Sequence, residues 1–369
     1  MPPASEPFVP PADQMGAMGP EEPAVEPPPE EDVSKKAISV AAWGRTGLRL
    51  QGPLPKELKH LTLEETTLEL HFDGNATPEI GLTGNVVGAI SGADQNGTVE
   101  LLDVIGRFDI DDAFHIWAGR MLVPSDRANF SGALFEAPWY YPGIFSPNGY
   151  VGPQSQGPNG RNDGMTVWGQ AEGGLFKYYA GAFDLWDPTS KPWWTGRLNL
   201  SLINPEPGYY HSSTYYGGKD LLAIGVAGAI KKDGSMSDPT DPTAPVDDAG
   251  TFNADVLFEK NLQEAGVLDL EGAFYLYQGD YEAFKHSFLV VASWMTADKV
   301  GPGKIQPLVR FQQAKLRAPG GKNDMSFEAQ IGYPIAEYGA RLALGYKFQK
   351  VGATGDKGNA IYLGAQILK

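Results

Sequence analysis

The sequence predicts an all-β protein: a 16-stranded antiparallel transmembrane β-barrel with its third extracellular loop folded inward. Three observations carry this. Strands with strict apolar–polar alternation recur from Ala37 to Leu368. Most are longer than the ~5–6 residues usual in soluble sheets and match the ~9–11 needed to cross a bilayer at a tilt. The connections alternate between short and long, as tight turns at one barrel end and exposed loops at the other require.

The totals fit this class. No run approaches the ~18 consecutive apolar residues of a membrane helix, which leaves strands as the spanning elements. Forty-six glycines and 11% aromatic residues suit a strand-rich chain with many turns. Zero cysteines remove disulfides, thiolate metal sites and thiol catalysis. A net charge of -16 argues against nucleic acid as a partner. Met1 is followed by "PPASEPFVPP" with no apolar signal region, which reads as a mature form with an initiator methionine.

Residues 1–36 differ in kind from the rest, with 10 of the 30 prolines and eight acids against Lys35 and Lys36. Too little apolar surface is available there to offset ordering entropy, so a disordered periplasmic segment is expected. Residues 37–369 form the barrel. Its predicted strands are roughly 37–51, 62–73, 78–91, 98–108, 113–121, 164–171, 175–184, 195–203, 220–231, 251–260, 266–277, 286–297, 304–316, 324–334, 339–350 and 358–368. Long connections fall at 52–61, 122–163, 185–194 and 232–250; short ones are "DGNA", "DIDDA", "EGG" and "AEYG". Residues 204–219, "NPEPGYYHSSTYYGGK", are long where parity expects a turn.

Facing follows from the alternation. In "RLALGYKFQK", Leu342, Leu344, Tyr346 and Phe348 oppose Arg341, Ala343, Gly345, Lys347 and Gln349. Val309 and Phe311 oppose Leu308, Arg310 and Gln312; Phe252, Ala254, Val256 and Phe258 oppose Asn253, Asp255, Leu257 and Glu259; Leu198, Leu200 and Leu202 oppose Arg197, Asn199 and Ser201. In a membrane barrel the apolar sets meet lipid and the polar sets line a watery lumen. The basic lumen residues are then Arg45, Arg49, Arg107, Arg197, Lys304, Arg310, Arg341 and Lys347, with Arg120 at the entrance to the long loop. The acidic ones are Glu65, Glu69, Asp103, Asp255, Glu259, Asp269, Glu271 and Glu328. Residues 122–163 are too long for an ordinary connection in a compact domain, and their Pro, Gly and aromatic content suggests a folded constriction inside the lumen.

"HIWAGRMLVPSDRANFSG…PWYYPG", "WGQAEGGLFKYYAGAFD" and "GRLNLSLINPEPGYYHSSTYYG" together resemble bacterial outer-membrane porins related to the phosphate-selective O/P family. The resemblance spans roughly Ala37 to Leu368. It implies a 16-stranded barrel, a homotrimer in outer-membrane lipid, and passage of small ions and hydrophilic solutes without a cofactor. Two features depart from the family: the chain ends "YLGAQILK" without a terminal aromatic, and the long loop carries no lysine. That loop has Arg127 and Arg161 beside Asp126, Glu136 and Asp163, which fits a general diffusion porin better than a phosphate channel. Basic wall residues opposite those acids would set a transverse field and a possible anion preference. The competing readings are a phosphate or oxyanion channel and a plugged barrel acting as receptor or adhesin.

Nothing nominates an enzyme. His60, His71, His115, His211 and His286 lack metal-ligand spacing, and no Walker, Rossmann or H-E-x-x-H pattern occurs. The aspartates of 233–248 lack EF-hand order and read as a solvated loop.

Overall fold

The computed structural model describes residues 38–52, 60–63, 66–90, 97–141, 160–185, 188, 190–236, 246–279, 284–318 and 320–369. The strands are β1 (Ser39–Gly52), β2 (His60–Leu63), β3 (Thr66–Asn75), β4 (Ile80–Ile90), β5 (Thr98–Asp111), β6 (Phe114–Leu122), β7 (Arg161–Ala171), β8 (Phe176–Phe183) and β9 (Trp193–Ile203). They continue as β10 (Leu221–Met236), β11 (Val246–Asn261), β12 (Val267–Gln278), β13 (Phe284–Met295), β14 (Gln306–Leu316), β15 (Asp324–Ala336), β16 (Ala340–Lys350) and β17 (Lys357–Leu368). One short helix, α1 (Arg127–Ser131), follows β6.

β2 and β3 pair with β1 in succession, at Leu48↔Leu63 and then Arg45↔Thr67, so together they make one crossing. Seventeen segments thus give sixteen crossings, each antiparallel to its sequence neighbour. β1 closes the sheet against β17, from Trp43↔Leu368 to Gly52↔Asn359. Closure leaves no edge strand and satisfies the backbone internally, the condition for a sheet placed in lipid.

Side-chain polarity is reversed relative to a soluble sheet. Leu344 (52% exposed), Leu200 (45%) and Val309 (47%) point outward, while Arg310 (1%), Asp255 (3%) and Glu328 (0%) are buried inside. An apolar outer belt around a polar interior is the arrangement of a barrel whose outer solvent is lipid.

All sixteen predicted strands are present, with shifted ends. β3 runs through "DGN", so the turn is 76–79, and β5 runs to Asp111. β10 and β11 take up most of 232–250, because the ladder resumes past a bulge between Lys231 and Ser235, at Ser235↔Asp247 and Met236↔Val246; residues 237–245 lie outside the described set. So do residues 1–36, most of 52–61, Glu65, and residues 142–159 of the long connection. Lys304 lies in the 296–305 connection before β14 and not on a strand. The connections 76–79, 112–113, 172–175, 204–220, 262–266, 296–305 and 337–339 share one end, here called the turn end; the opposite end is the loop end.

Candidate functional site

The polar interior is the site, and ion pairs organise much of its wall. On β9, Arg197 grips Asp255 of β11 with both terminal nitrogens and donates to the Ser125 carbonyl at 2.7 Å. The pair lies over Gly225 of β10, where any β-carbon would strike both side chains. Arg310 of β14 pairs with Glu328 of β15 at 2.6 Å. Arg107 of β5 donates to Asp73 at 3.1 Å and Asn75 at 2.8 Å on β3. Arg161 pairs with Asp103 of β5 at 3.0 Å.

The segment 123–141 makes most of its polar contacts to inner-face side chains. Arg45 donates to the carbonyls of Ala133 and Trp139, and its guanidinium sits 3.8 Å from the Trp139 ring centre. Gln366 holds the Leu134 carbonyl at 3.0 Å, and Arg341 holds that of Glu136. Gln330 accepts from the Trp139 N–H at 2.7 Å and donates to the Ala137 carbonyl at 3.1 Å. Arg310 holds the Tyr140 and Tyr141 carbonyls. The Trp139 indole rests on Gly364 of β17, a close approach that only a residue without a side chain permits. Lys347 stands 4.7 Å from the Tyr140 ring centre.

The turn-end connection 204–220 meets the same segment. Arg127 of α1 makes a bidentate pair with Glu206 at 2.7 and 2.8 Å, with both side chains buried. Burial alone would push the Glu206 carboxyl up; Arg127 overrides this and holds it well below the usual carboxylate range. Burial and the neighbouring Lys177 push His211 well below the usual imidazole range, so it is neutral. Asp126 accepts from the Tyr275 hydroxyl at 2.7 Å, and burial raises its carboxyl. Burial and then Glu271 push Glu136 well above the usual range. Aromatic side chains fill the space between: Trp117 stacks on Tyr209 at 4.5 Å, and Phe130 meets Tyr209 edge-on at 5.2 Å.

Burial divides the wall. Inner residues of β9 to β15 such as Arg197, Asp255, Glu271, Ser293, Gln312 and Gln330 are buried. On β1, on β3 and at the loop end of β16, the inner residues Arg45, Arg49, Thr67, Glu69, His71, Asp73, Lys347 and Gln349 are only half-buried, whereas Arg341 and Ala343 of β16 and Ala360, Tyr362 and Gln366 of β17 are buried.

Two predicted site residues are misplaced by strict alternation. Arg120 shares the outward register of Ala118 and pairs with Asp163 at 2.9 Å on the face of Met165, because His115, Trp117 and Met121 take the inner positions of β6. The expected transverse field therefore loses Asp163, and Asp126 faces Tyr275 and Asp255 in place of the basic wall. Sequence reasoning also missed Glu206, Ser213, Thr214, Lys177 and Tyr275; the broken parity at 204–219 was the signal for the first three.

These features define a closed antiparallel barrel of sixteen crossings with an apolar outer face and a charged interior. Neither a family model nor a curated protein matches this chain. Solved structures do. OmpT of Vibrio cholerae, an outer membrane protein described in a trimer form, aligns with TM-score 0.54 at 13% identity over 90% of this chain and 100% of that one. Salmonella typhi OmpF, in complex with daunomycin, aligns with TM-score 0.60 at 10% identity over 89% and 97%. A mutant porin of Rh. blastica aligns with TM-score 0.51 at 13% identity over 90% and 100%. At such identities the likeness shows the shared fold.

Proposed function

We propose that this chain is a bacterial outer-membrane porin, a water-filled channel for passive diffusion of ions and small hydrophilic solutes. The observation that carries this is a closed barrel with an apolar outside and a charged inside, one arc of which keeps contact with solvent. The segment 123–141, held by inner-face Arg45, Arg310, Arg341, Gln330 and Gln366, is the constriction folded into the lumen. Passage runs beside it, along the half-buried inner faces of β1 and β3. The trimer form of the Vibrio cholerae protein supports a homotrimer. β1 starts at the turn end, which supports reading residues 1–36 as a periplasmic segment.

Ion preference is expected to be weak. An anion preference rests on lumen arginines acting on solutes, yet Arg107, Arg127, Arg161, Arg197 and Arg310 each hold a carboxylate. Arg45 and Arg341 hold backbone carbonyls. No observation favours phosphate binding over general diffusion.

Reconstitution in a planar bilayer under a salt gradient tests this. Discrete conductance steps with a small reversal potential and no block by phosphate are expected. A folded barrel that never conducts would overturn the channel reading, and strong block at low phosphate would replace it with a specific one.

A further inference from the structure

The connection 204–220 departs most from what a barrel needs. Turns at its end of the barrel are otherwise two to ten residues long, and a hairpin needs only a few. Pro205, Pro207 and the positive-φ Gly208 and Gly217 stop it from extending the strands.

It does not hang outside the barrel. Glu259 on the inner face of β11 accepts three donors from it: the Thr214 hydroxyl at 2.8 Å, the Tyr215 N–H at 2.6 Å and the Gly217 N–H at 2.7 Å. Lys177 of β8, fully buried, donates to the Gly208 carbonyl at 3.0 Å. Tyr179 donates to the Tyr209 carbonyl at 2.9 Å, and Gln170 accepts from the Gly208 N–H at 2.8 Å.

Contact with the segment from the opposite rim is direct. The Ser213 N–H donates to the Phe135 carbonyl at 3.1 Å, and its hydroxyl accepts from the Ala137 N–H at 2.9 Å. The Tyr338 hydroxyl joins the two, donating to the Phe135 carbonyl at 2.7 Å and accepting from the Thr214 N–H at 3.1 Å. With the Arg127–Glu206 pair and the bond from Arg127 to the Ser212 carbonyl at 2.9 Å, five links tie the two segments together.

We propose that 204–220 is a second constriction, entering the lumen from the turn end, and that it sets the channel's size limit jointly with 123–141. This rests on the channel reading above. It closes the sector between β8 and β12, and with 123–141 packed on β16 and β17, solutes are confined to the inner faces of β1 and β3. It also screens an acidic wall: beside the mutually paired Arg197 and Asp255, Glu259, Asp269 and Glu271 lie buried on the inner faces of β11 and β12, against Lys177 on β8. Removing the segment therefore does two things at once. It widens the path, and it presents three carboxylates and one ammonium to the permeating ions.

The test exchanges residues 206–217 for a short Asn-Gly turn in the otherwise full chain, with Arg127→Ser so that no buried cation is stranded. Folding is checked by heat-modifiable mobility in detergent, then single-channel conductance and reversal potential are compared with wild type. A conductance rise of about twofold or more with a shift toward cations is expected. If the exchange does not fold, Glu259→Ala removes the acceptor of three docking bonds, and a smaller rise in the same direction is expected.

A folded variant with wild-type conductance and reversal potential overturns the second constriction and leaves the channel reading standing. A silent wild type beside a conducting variant supports the inference, with the segment acting as a full closure, and overturns the resting channel. Silence from both overturns both.

Discussion

The arc from β9 to β15 and the pair β1 and β3 follow the same alternating rule, yet their inner charges have different partners and different solvent. In the first, Arg197–Asp255 and Arg310–Glu328 are cut off from water and anchor the loop backbone. In the second, Asp73 of β3 keeps solvent access in its pair with Arg107 of the neighbouring β5, with side-chain exposures of 35% and 14%. Alternation decides which residues point inward. What packs against them decides whether a charge braces the barrel or meets a solute.

The contrast gives graded expectations. Asp255→Ala leaves Arg197 buried and unpaired, so a loss of about 3–5 kcal/mol is expected, read as a lower unfolding midpoint in detergent. Tyr275→Phe removes only the hydroxyl that serves Asp126; about 1–3 kcal/mol is expected in the same assay. Neither change is expected to move ion preference, and a large shift in reversal potential from either would erase the distinction between the two regions.

Glu136 gives a pH signature. Its folded-state carboxyl is raised, so the folded protein binds the proton more tightly than the unfolded chain. That contribution is present below the ordinary glutamate range and is lost as pH rises toward the raised value. Glu136→Gln is expected to flatten this part of the stability–pH profile; an unchanged profile would show that Glu136 titrates normally.

Arg107→Ala is the reverse case. A partly solvated pair contributes at most about 1 kcal/mol, so the unfolding midpoint should hardly move. Asp73 then loses its nearest cation, and the reversal potential is expected to shift toward cations. A destabilised barrel with unchanged selectivity would place Arg107 with the braced charges.

Much of the fold was legible because a barrel writes itself locally. Period-two alternation set sixteen strands and their faces, and "RLALGYKFQK" alone placed Leu344 on the outer face and Arg341 inside. Parity of the connections separated the two ends. The interior was less legible, because its partners are far apart in sequence. Arg127 meets Glu206 and Gln330 meets Trp139 across the lumen, contacts that no periodicity encodes. Arg120 was misread since "AFHIWAGRML" is apolar on both sides, and only the packing of Trp117 and Met121 fixes its face. The 204–219 stretch announced itself by breaking parity, but its length alone did not say where it goes.

The central claim is that solutes pass along the inner faces of β1 and β3 and not through the buried sector. The chain has no cysteine, so single substitutions report cleanly. Thr67→Cys sits on the half-buried inner face of β3, and Ser293→Cys replaces a buried serine on the inner face of β13. Single-channel current should be recorded before and after a charged, membrane-impermeant thiol reagent. The account predicts a lasting fall in current at Thr67→Cys and none at Ser293→Cys. A response at Ser293→Cys, or silence at Thr67→Cys, would contradict it.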